Sequence, residues 1–307
     1  MNKNIVKVAA AQVAPHFLDR DKTVDKACKL IAEAAGSGAK LIVFPEAFIS
    51  GYPDWVWLVP NGNGKMLSDL YSELVESAVS IPDEATDRLC QAAKDAGIFV
   101  AMGVHERNSE ASGASLFNTL LYIDDQGTII GKHRKLIPTG GERLVWSQGD
   151  GNTLPVFETN FGKLGGLLCW ENFMPLARQA MYIGGTQIYV APTWDSSENW
   201  LLSMRHIARE GGMFVINVCQ ALRMDDIPDH YDFKKLYSND DEDEWINGGN
   251  SCIVNPYGEV IAGPLDRQQE VLYAELDLSL IAKAKRSFDV AGHYARPDVF
   301  KYDIVKG

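Results

Sequence analysis

Three segments of the sequence place a reactive side chain at or near the end of a predicted strand. Glu46 follows the run Leu-Ile-Val-Phe-Pro, Cys169 follows Gly-Gly-Leu-Leu, and Lys135 lies in the segment Gly-Lys-His-Arg-Lys-Leu. In open α/β sheets ligands gather at the carboxyl ends of strands, which makes these three strand ends a candidate site. The side chains supply a nucleophile, a general base and a cation for a developing anion, the set that covalent acyl transfer needs.

Each of these residues also has a simpler interpretation. Partial desolvation would raise the pKa of Glu46 and favour general-base work, but strand-end carboxylates are often ordinary solvated groups. Strand alternation puts Lys135 on one face with His133, where it either points into a site or stays on an exposed charged strand. Cys169 precedes a predicted helix with Pro175 in its first turn. The helix dipole there should favour its thiolate, unless the residue is a buried packing cysteine.

The elements that position these residues alternate between strands and helices. The predicted strands are Ile5–Val13, Lys40–Pro45, Ile98–His105, Leu116–Ile123, Thr128–Leu136, Asn152–Glu158, Lys163–Cys169, Gln187–Pro192, Met213–Cys219, Ser251–Asn255, Val260–Ala262 and Val271–Leu276. The predicted helices are Asp21–Ala35, Glu84–Ala96, Pro175–Ile183, Asn199–Glu210 and Leu278–Lys285. This alternation indicates an α/β protein, and its two similar halves favour two stacked sheets in one domain over residues 1–307.

One stretch, residues 225–249, is polar and contains the acidic run Asn239–Glu244. A charge run of this kind is typical of a solvated surface excursion. The alternative is an inserted segment that contacts a partner subunit.

Composition narrows the class of protein. The 307 residues carry a formal net charge of -12 without a Lys/Arg cluster, so we expect no nucleic-acid partner. The five cysteines form neither a disulfide framework nor a zinc pattern, which indicates a reducing compartment. We expect a cytoplasmic protein without a membrane partner, since neither a signal peptide nor a bilayer-spanning apolar run is evident.

The segments Phe44–Glu46, His133–Leu136 and Cys169–Asn172, in this order, resemble the motifs of the nitrilase (carbon–nitrogen hydrolase) superfamily. The likeness covers nearly the whole chain and is closest to the true nitrilase branch, which has similar segments at Pro138–Arg143 and Gly292–Asp298. Amidases and carbamoylases of the superfamily differ after the cysteine. Cyanide-degrading relatives usually carry His where this chain has Asn172, so the resemblance implies an organic nitrile as substrate.

The resemblance implies an αββα four-layer sandwich with two mixed sheets between helix layers. It implies a triad of Glu46, Lys135 and Cys169, and a second glutamate, Glu142, that orients the lysine and the attacking water. It further implies that the enzyme needs neither a metal nor an organic cofactor. Members form homodimers through the helix after the nucleophile and often larger homo-oligomers. The short tail, about residues 299–307, leaves the size of the assembly open.

Four further residues lie beside the motifs and are candidates for substrate binding: Tyr52, Thr139, Trp170 and Trp194. Aromatic walls would suit an aryl or arylaliphatic nitrile, although such side chains also serve as ordinary core residues. The expected reaction converts a nitrile to a carboxylic acid and ammonia through a thioimidate and a thioester on Cys169.

Other functions fit the sequence less well. An amidase on the same fold is the main alternative, because it would share the thioester half of the pathway. A papain-like protease would need a Cys–His signature, a zinc hydrolase would need clustered ligands, and a nucleotide-binding protein would need a phosphate-binding loop; none is present. A catalytically inactive scaffold on the same fold is disfavoured because all three triad residue types are present.

Overall fold

The computed structural model describes residues 5–237 and 244–306. Its strands, in chain order, are β1 (Ile5–Gln12), β2 (Leu41–Val43), β3 (Phe99–Arg107), β4 (Leu116–Ile123), β5 (Ile129–Arg134), β6 (Val156–Thr159), β7 (Gly162–Gly166), β8 (Ile188–Thr193), β9 (Phe214–Cys219), β10 (Ala221–Arg223), β11 (Trp245–Val254), β12 (Val260–Asp266) and β13 (Glu270–Asp277). Its α-helices are α1 (Arg20–Gly36), α2 (Trp55–Leu58), α3 (Gly64–Ser77), α4 (Glu84–Ala96), α5 (Pro175–Ile183), α6 (Glu198–Gly211) and α7 (Ser279–Lys285). Short 3-10 helices span Gly140–Leu144, Gly151–Thr153, Cys169–Phe173, Met224–Asp226 and Asp232–Leu236.

The strands form two mixed sheets. The first has the order β13-β1-β2-β3-β4-β5, in which β1, β2 and β3 run parallel and the other neighbours antiparallel. The second has the order β10-β11-β9-β8-β7-β6, with β12 paired to β11 and with β7, β8 and β9 parallel. Parallel strands lie inside each sheet, where both faces are covered, and β2, β8 and β9 are buried along their whole length.

Three apolar layers hold the sheets and helices together. Between the sheets lies a core that includes Val8 and Val43 of the first sheet and Val190 and Ile216 of the second. Helices α1 and α4 cover the outer face of the first sheet, and α5 and α6 cover the outer face of the second. The predicted αββα sandwich is therefore confirmed.

Two helices match their predicted bounds because their end signals are local. Helix α4 begins with a reciprocal cap between Asp83 and Thr86 and ends at Gly97, whose φ of 60° suits glycine. Helix α5 has Pro175 in its first position, where a missing N–H costs nothing.

The predictions for β6 and β7, the last two strands of the second sheet, were each wrong at one end. Residues 151–153 form a 3-10 helix capped by the Asp150 side chain, so the strand expected from Asn152 begins only at Val156. The strand expected to reach Cys169 ends at Gly166. Cys169 instead begins a 3-10 helix. These changes place the nucleophile in a turn rather than on the strand itself.

Helix α3, like α2, lies between the strand expected to end at Pro45 and α4, where the sequence predicted no element. The Asn-Gly-Asn-Gly run before it indicates only a loop, but the Asn63 side chain accepts a hydrogen bond from the Met66 N–H at 3.3 Å and starts the helix. Leu70 and Leu74 then pack into the core beside α2.

The polar stretch 225–249 is only partly the surface excursion that was expected. Tyr231 and Phe233 are 9% and 1% exposed and pack against Phe17. Strand β11 already begins at Trp245. Of the acidic run, residues 239–243 lie outside the described residues, and Glu244 forms an ion pair with Arg223 at 2.8 Å.

None of the helices in residues 5–237 and 244–306 is long and apolar enough to cross a membrane. The carboxy-terminal tail runs past the start of α5, where the Tyr302 hydroxyl donates to the Leu176 carbonyl at 2.8 Å.

Candidate active site

The glutamate after β2 is buried against β3. Gly103 of β3 allows the backbone around Pro45 to approach closely, since a Cβ at Gly103 would lie 2.1 Å from the Pro45 carbonyl oxygen. The Gln220 side-chain amide donates to the Glu46 carbonyl at 2.7 Å and holds this segment from the second sheet. Glu46 is 0% exposed, so its interpretation as a solvated strand-end carboxylate is wrong.

Lys135 lies directly after β5 and connects two carboxylates. Its backbone N–H donates to the Asn118 carbonyl on β4 at 2.8 Å, which fixes where the side chain starts. The ammonium donates to Glu46 Oε1 at 2.8 Å and to Glu142 Oε2 at 2.7 Å. Asn118 completes the contact by donating its amide to Glu46 Oε1 at 2.7 Å. Lys135 is 1% exposed, so the alternative of an exposed charged strand is wrong at this position.

The two glutamates differ in how many of their oxygens are occupied. Glu142 is the third residue of the 3-10 helix Gly140–Leu144, and its Oε2 accepts from Lys135 and from the Thr139 N–H, both at 2.7 Å. Its Oε1 accepts from the Tyr52 hydroxyl at 2.7 Å. Glu46 Oε2, in contrast, is buried and accepts no hydrogen bond from the described residues. Of the two carboxylates, Glu46 has the oxygen available to take a proton.

Cys169 is the first residue of its 3-10 helix and has a φ of 48°, a left-handed conformation that is unusual for a residue with a side chain. Its Sγ, one carboxylate oxygen of Glu46 and one of Glu142 lie within 4.8 Å of one another. The Thr193 hydroxyl donates to Sγ at 3.3 Å. The turn therefore presents the sulfur to both carboxylates.

A third buried carboxylate, Glu171, supports this turn and was not singled out from the sequence. Glu171 accepts from the N–H groups of Leu136 at 2.6 Å and Leu168 at 2.9 Å, and contacts His133 Nε2 at 2.9 Å. It thereby connects the end of β5, next to Lys135, with the residue before Cys169. The position of Glu171 within the Cys169–Asn172 motif was the available signal.

Asn118 and Thr193 were also missed, and no sequence pattern marks them. Each lies on a strand next to a motif residue in space but far from it in sequence.

The charges of the cluster set the protonation of its members. Burial raises the pKa of Glu46, against the lowering effect of the Lys135 charge. Burial would lower the pKa of Lys135, but the negative charges of Glu46, Cys169 and Glu142 raise it above its usual value. Burial, with the charge of Glu46, raises the pKa of the Cys169 thiol. The expectation that a helix dipole favours the Cys169 thiolate is therefore wrong: desolvation and neighbouring carboxylates outweigh the turn.

The four predicted substrate-binding residues surround a cavity that reaches the sulfur. The cavity has a volume of about 350 Å³, and its lining consists of Tyr52, Trp57, Thr139, Glu142, Cys169, Trp170, Trp194, Asp195 and Ser197. Tyr52 and Trp194 stack with ring centroids 4.5 Å apart and planes 4° from parallel. Trp170 is anchored through its indole N–H, which donates to Asp195 at 2.8 Å. Trp57 and Asp195 had not been identified from the sequence.

The cluster already contains its own cation. Both carboxylates bind the Lys135 ammonium, so two negative charges and one positive charge surround the thiol. Lys135 thus places a positive charge beside the thiol, between the two carboxylates.

Comparison with known proteins agrees with this geometry. The family model described as "Carbon-nitrogen hydrolase" matches residues 7–286. Nitrilase 2 of Arabidopsis thaliana is 42% identical over 310 residues, covering 99% of this chain and 89% of that protein. A bifunctional nitrilase/nitrile hydratase, NIT4A of Lupinus angustifolius, is 44% identical over 97% of this chain and 85% of its own length. The aliphatic nitrilase of Sinorhizobium fredii (strain HH103) is 42% identical over 96% of this chain and 94% of that protein.

Solved structures show the same fold. A carbon–nitrogen hydrolase from Helicobacter pylori G27 superimposes with a TM-score of 0.73 at 21% identity, covering 98% of both chains. Nit3 of Saccharomyces cerevisiae gives a TM-score of 0.72 at 20% identity, covering 95% of this chain and 97% of its own.

Proposed function

The chain belongs to the carbon–nitrogen hydrolase family, and we propose that it hydrolyses an organic nitrile to the carboxylic acid and ammonia through a covalent intermediate on Cys169. The observation that carries this proposal is the buried group of one thiol, two carboxylates and one ammonium at the base of the 350 Å³ cavity. Relatives over 40% identical along almost the whole chain are nitrilases, which supports the nitrile as substrate.

The first chemical step joins the sulfur to the nitrile carbon. Because the Cys169 thiol has a raised pKa, it reaches the nitrile carbon only as its proton passes to Glu46, whose Oε2 is unoccupied. The nitrile nitrogen gains the electron pair, and Lys135 with the backbone N–H of Trp170 stabilises its charge. Protonated Glu46 then supplies the proton, and a neutral thioimidate results.

The second half returns the enzyme to its starting state. Glu46 removes a proton from a water molecule, which attacks the thioimidate, and the nitrogen leaves as ammonia. The remaining thioester takes up a second water in the same way and releases the carboxylic acid, while the sulfur regains its proton. Lys135 keeps its charge throughout, because its pKa is raised by the carboxylates. Glu142, with both oxygens occupied, positions Lys135.

The proposal is tested with a panel of aliphatic, aryl, arylacetonitrile and dinitrile substrates together with the matching amides. Ammonia and acid should appear together from at least one nitrile, and Cys169→Ala should abolish both. Residual turnover above roughly a thousandth of the wild-type rate would contradict the covalent route, given how much nucleophiles usually contribute.

An amidase on the same fold is the second candidate function. The two functions are related, because the nitrilase pathway can also release an amide. One relative at 44% identity is named a bifunctional nitrilase/nitrile hydratase, and this second name concerns amide formation. The tetrahedral adduct formed from the thioimidate can expel sulfur instead of ammonia, which gives the amide. The ratio of amide to acid in the same assay measures how often sulfur leaves instead of ammonia. Turnover of amides alone would contradict the nitrilase proposal and favour the amidase.

The cavity favours a flat substrate. Tyr52, Trp57, Trp170 and Trp194 contribute aromatic surface, and aromatic rings recognise other rings by stacking and edge contacts. We assign the substrate-binding role to Tyr52, Thr139, Trp170 and Trp194. An aryl or arylaliphatic nitrile should therefore show a lower KM than an aliphatic nitrile of equal length.

The assembly is proposed to be a homodimer or a larger homo-oligomer built through α5 and α6. Three apolar side chains stand out from these helices: Leu176 is 70% exposed, Ile183 55% and Leu202 52%. Large exposed apolar groups on adjacent helices are typical of a subunit interface. Ile183→Glu should reduce the mass measured by sedimentation, and Leu236→Glu on another surface serves as the control.

We also propose a cytoplasmic location and one catalytic domain over residues 1–307. The five cysteines are free, as expected in a reducing compartment. The core between the sheets takes side chains from both halves of the chain, which supports a single folding unit. Cell fractionation tests the location, and a single unfolding transition seen by two probes tests the domain.

A further inference from the structure

We propose that Thr193 is a catalytic residue, whose hydroxyl stabilises the sulfur of Cys169 as it becomes a nucleophile and again as it becomes a leaving group. This inference rests on the proposed function in taking Cys169 as the nucleophile. It was suggested by the contact of 3.3 Å between Thr193 Oγ1 and Cys169 Sγ, in a position where both residues are almost completely buried.

The contact follows from the register of two parallel strands. Gly166, the last residue of β7, pairs with Val190 of β8. Cys169 lies three residues after Gly166, and Thr193 lies three residues after Val190. The two side chains therefore reach the carboxyl edge of the sheet at the same level. Thr193 is the last residue of β8, so the strand itself holds its backbone.

A second hydrogen bond determines whether the Thr193 hydroxyl donates to the sulfur or accepts from it. The Asp195 N–H donates to Thr193 Oγ1 at 2.9 Å, which occupies a lone pair of the oxygen and leaves its proton for the sulfur. A hydroxyl can both accept and donate, and here each role has one partner. Once the Cys169 proton has moved to Glu46, only Thr193 can donate in this contact.

The strength of the hydrogen bond from Thr193 to Cys169 changes along the reaction. A hydrogen bond to a charged acceptor is roughly twice as strong as one to a neutral acceptor. The sulfur carries negative charge when it attacks and when it is expelled from the thioester, but not in the thioimidate between them. Thr193 therefore lowers the barriers at both ends of the covalent pathway while adding little to the stability of the intermediate.

The same site has a competing explanation, in which Thr193 only fills space. Valine has nearly the shape of threonine without the hydroxyl, and serine has the hydroxyl without the methyl group. A packing role predicts that Thr193→Val is better tolerated than Thr193→Ser. The hydrogen bond predicts the reverse order, and the pair Thr193→Ser and Thr193→Ala repeats the comparison with the methyl group absent from both.

The experiment measures kcat and KM for a nitrile and, separately, the rate at which iodoacetamide alkylates Cys169 at fixed pH, followed by mass spectrometry of that residue. Thr193→Val should lower kcat about 10- to 100-fold, the range for a hydrogen bond to a charged group, while KM changes less than about threefold. Alkylation should slow in the same variant. Thr193→Ser should keep kcat within about threefold of wild type.

Three results would overturn the proposal: equal kcat in Thr193→Val and wild type, a more active Val than Ser variant, or an unchanged alkylation rate with a raised KM. The last result would mean that the Asp195 turn at the cavity wall had moved. If Thr193→Val does not fold, the Ser and Ala variants decide in the same way, with Ser required to exceed Ala about tenfold in kcat and alkylation. Alkylation needs no nitrile, so failure of the nitrilase proposal is recognised separately.

Discussion

Replacing Glu46 with glutamine should have opposite effects on turnover and on the acidity of the nucleophile. The substitution keeps the shape of the side chain but removes its charge and its ability to take a proton. Turnover should fall about 10²- to 10⁴-fold, the usual contribution of a general base. The Cys169 thiol, in contrast, should become easier to ionise, because the charge of Glu46 is a major cause of its raised pKa.

The size of the second effect follows from the distance. The sulfur and the Glu46 carboxylate lie within 4.8 Å. With an effective dielectric constant of about 20, a unit charge at that separation contributes roughly 3 kcal/mol, or about 2 pKa units. Lys135 remains charged and keeps Glu142 as its partner, so the net charge around the sulfur changes from about -1 to zero.

The assay is the alkylation rate of Cys169 by iodoacetamide as a function of pH. In the wild type Glu46 accepts the thiol proton, so the rate should change little above the pKa of Glu46 until the thiol loses its proton to solvent. In Glu46→Gln the rate should rise about tenfold per pH unit and level off at a lower pH than the wild-type thiol ionisation. Glu106→Gln is a matched control, since Glu106 is another buried glutamate held by Arg134 and should leave the profile unchanged.

Two outcomes would refute this reasoning. If the thiol of Glu46→Gln ionised at the same pH as in the wild type, or higher, Glu46 would not be a charged neighbour of the sulfur. If the variant kept more than about a tenth of the wild-type kcat, another group would have to be the base.

Three further predictions use the same cluster. Because the base form of Glu46 is lost by protonation and burial raises its pKa, kcat/KM should fall as pH decreases, with a midpoint above the ordinary glutamate value of about 4.3; a pH–rate profile with no acid limb above that value would contradict this. Tyr52→Phe removes the donor to Glu142 Oε1 and should lower kcat/KM about tenfold or more, measured against Tyr71→Phe at a surface contact as control. Glu171→Gln loses acceptor capacity between Leu136, Leu168 and His133 and should lower the free energy of unfolding by about 2–4 kcal/mol in urea denaturation, with an unchanged midpoint speaking against its anchoring role.

Sequence reasoning brought Glu46, Lys135 and Cys169 into one candidate site because their positions depend on topology. Glu46, Lys135 and Cys169 each follow a strand of an α/β sandwich, and the carboxyl ends of parallel strands meet at one edge. Glu46 and Cys169 can thus be recognised from the apolar runs before them, and Lys135 from its place in a predicted strand. The family resemblance then supplied Glu142, which stands in a 3-10 helix that no strand pattern marks.

Sequence reasoning failed where the answer depends on pairs of residues far apart in the chain. The contacts of Asn118 with Glu46 and of Thr193 with Cys169 require the register between neighbouring strands, which no single segment contains. The pKa of Cys169 depends on burial together with several nearby charges, which the sequence does not show. Its position before a predicted helix indicated a lowered pKa, whereas burial and the charge of Glu46 raise it. Helix α3 was missed because its first signal, Asn63, is also a common loop residue.

The difference between the two carboxylates explains why a site with so many charges has one base. Glu142 accepts three hydrogen bonds, from the Tyr52 hydroxyl at Oε1 and from the Thr139 N–H and Lys135 at Oε2, so neither of its oxygens is unoccupied. Glu46 accepts two, both at Oε1, and its buried Oε2 can be protonated without breaking either. Burial also favours the neutral form of Glu46, because it raises the pKa of this carboxyl group. In the proposed mechanism the proton of the nucleophile therefore has one receiving atom, Glu46 Oε2, and the ammonium between the two glutamates stabilises the negative charge on the substrate nitrogen.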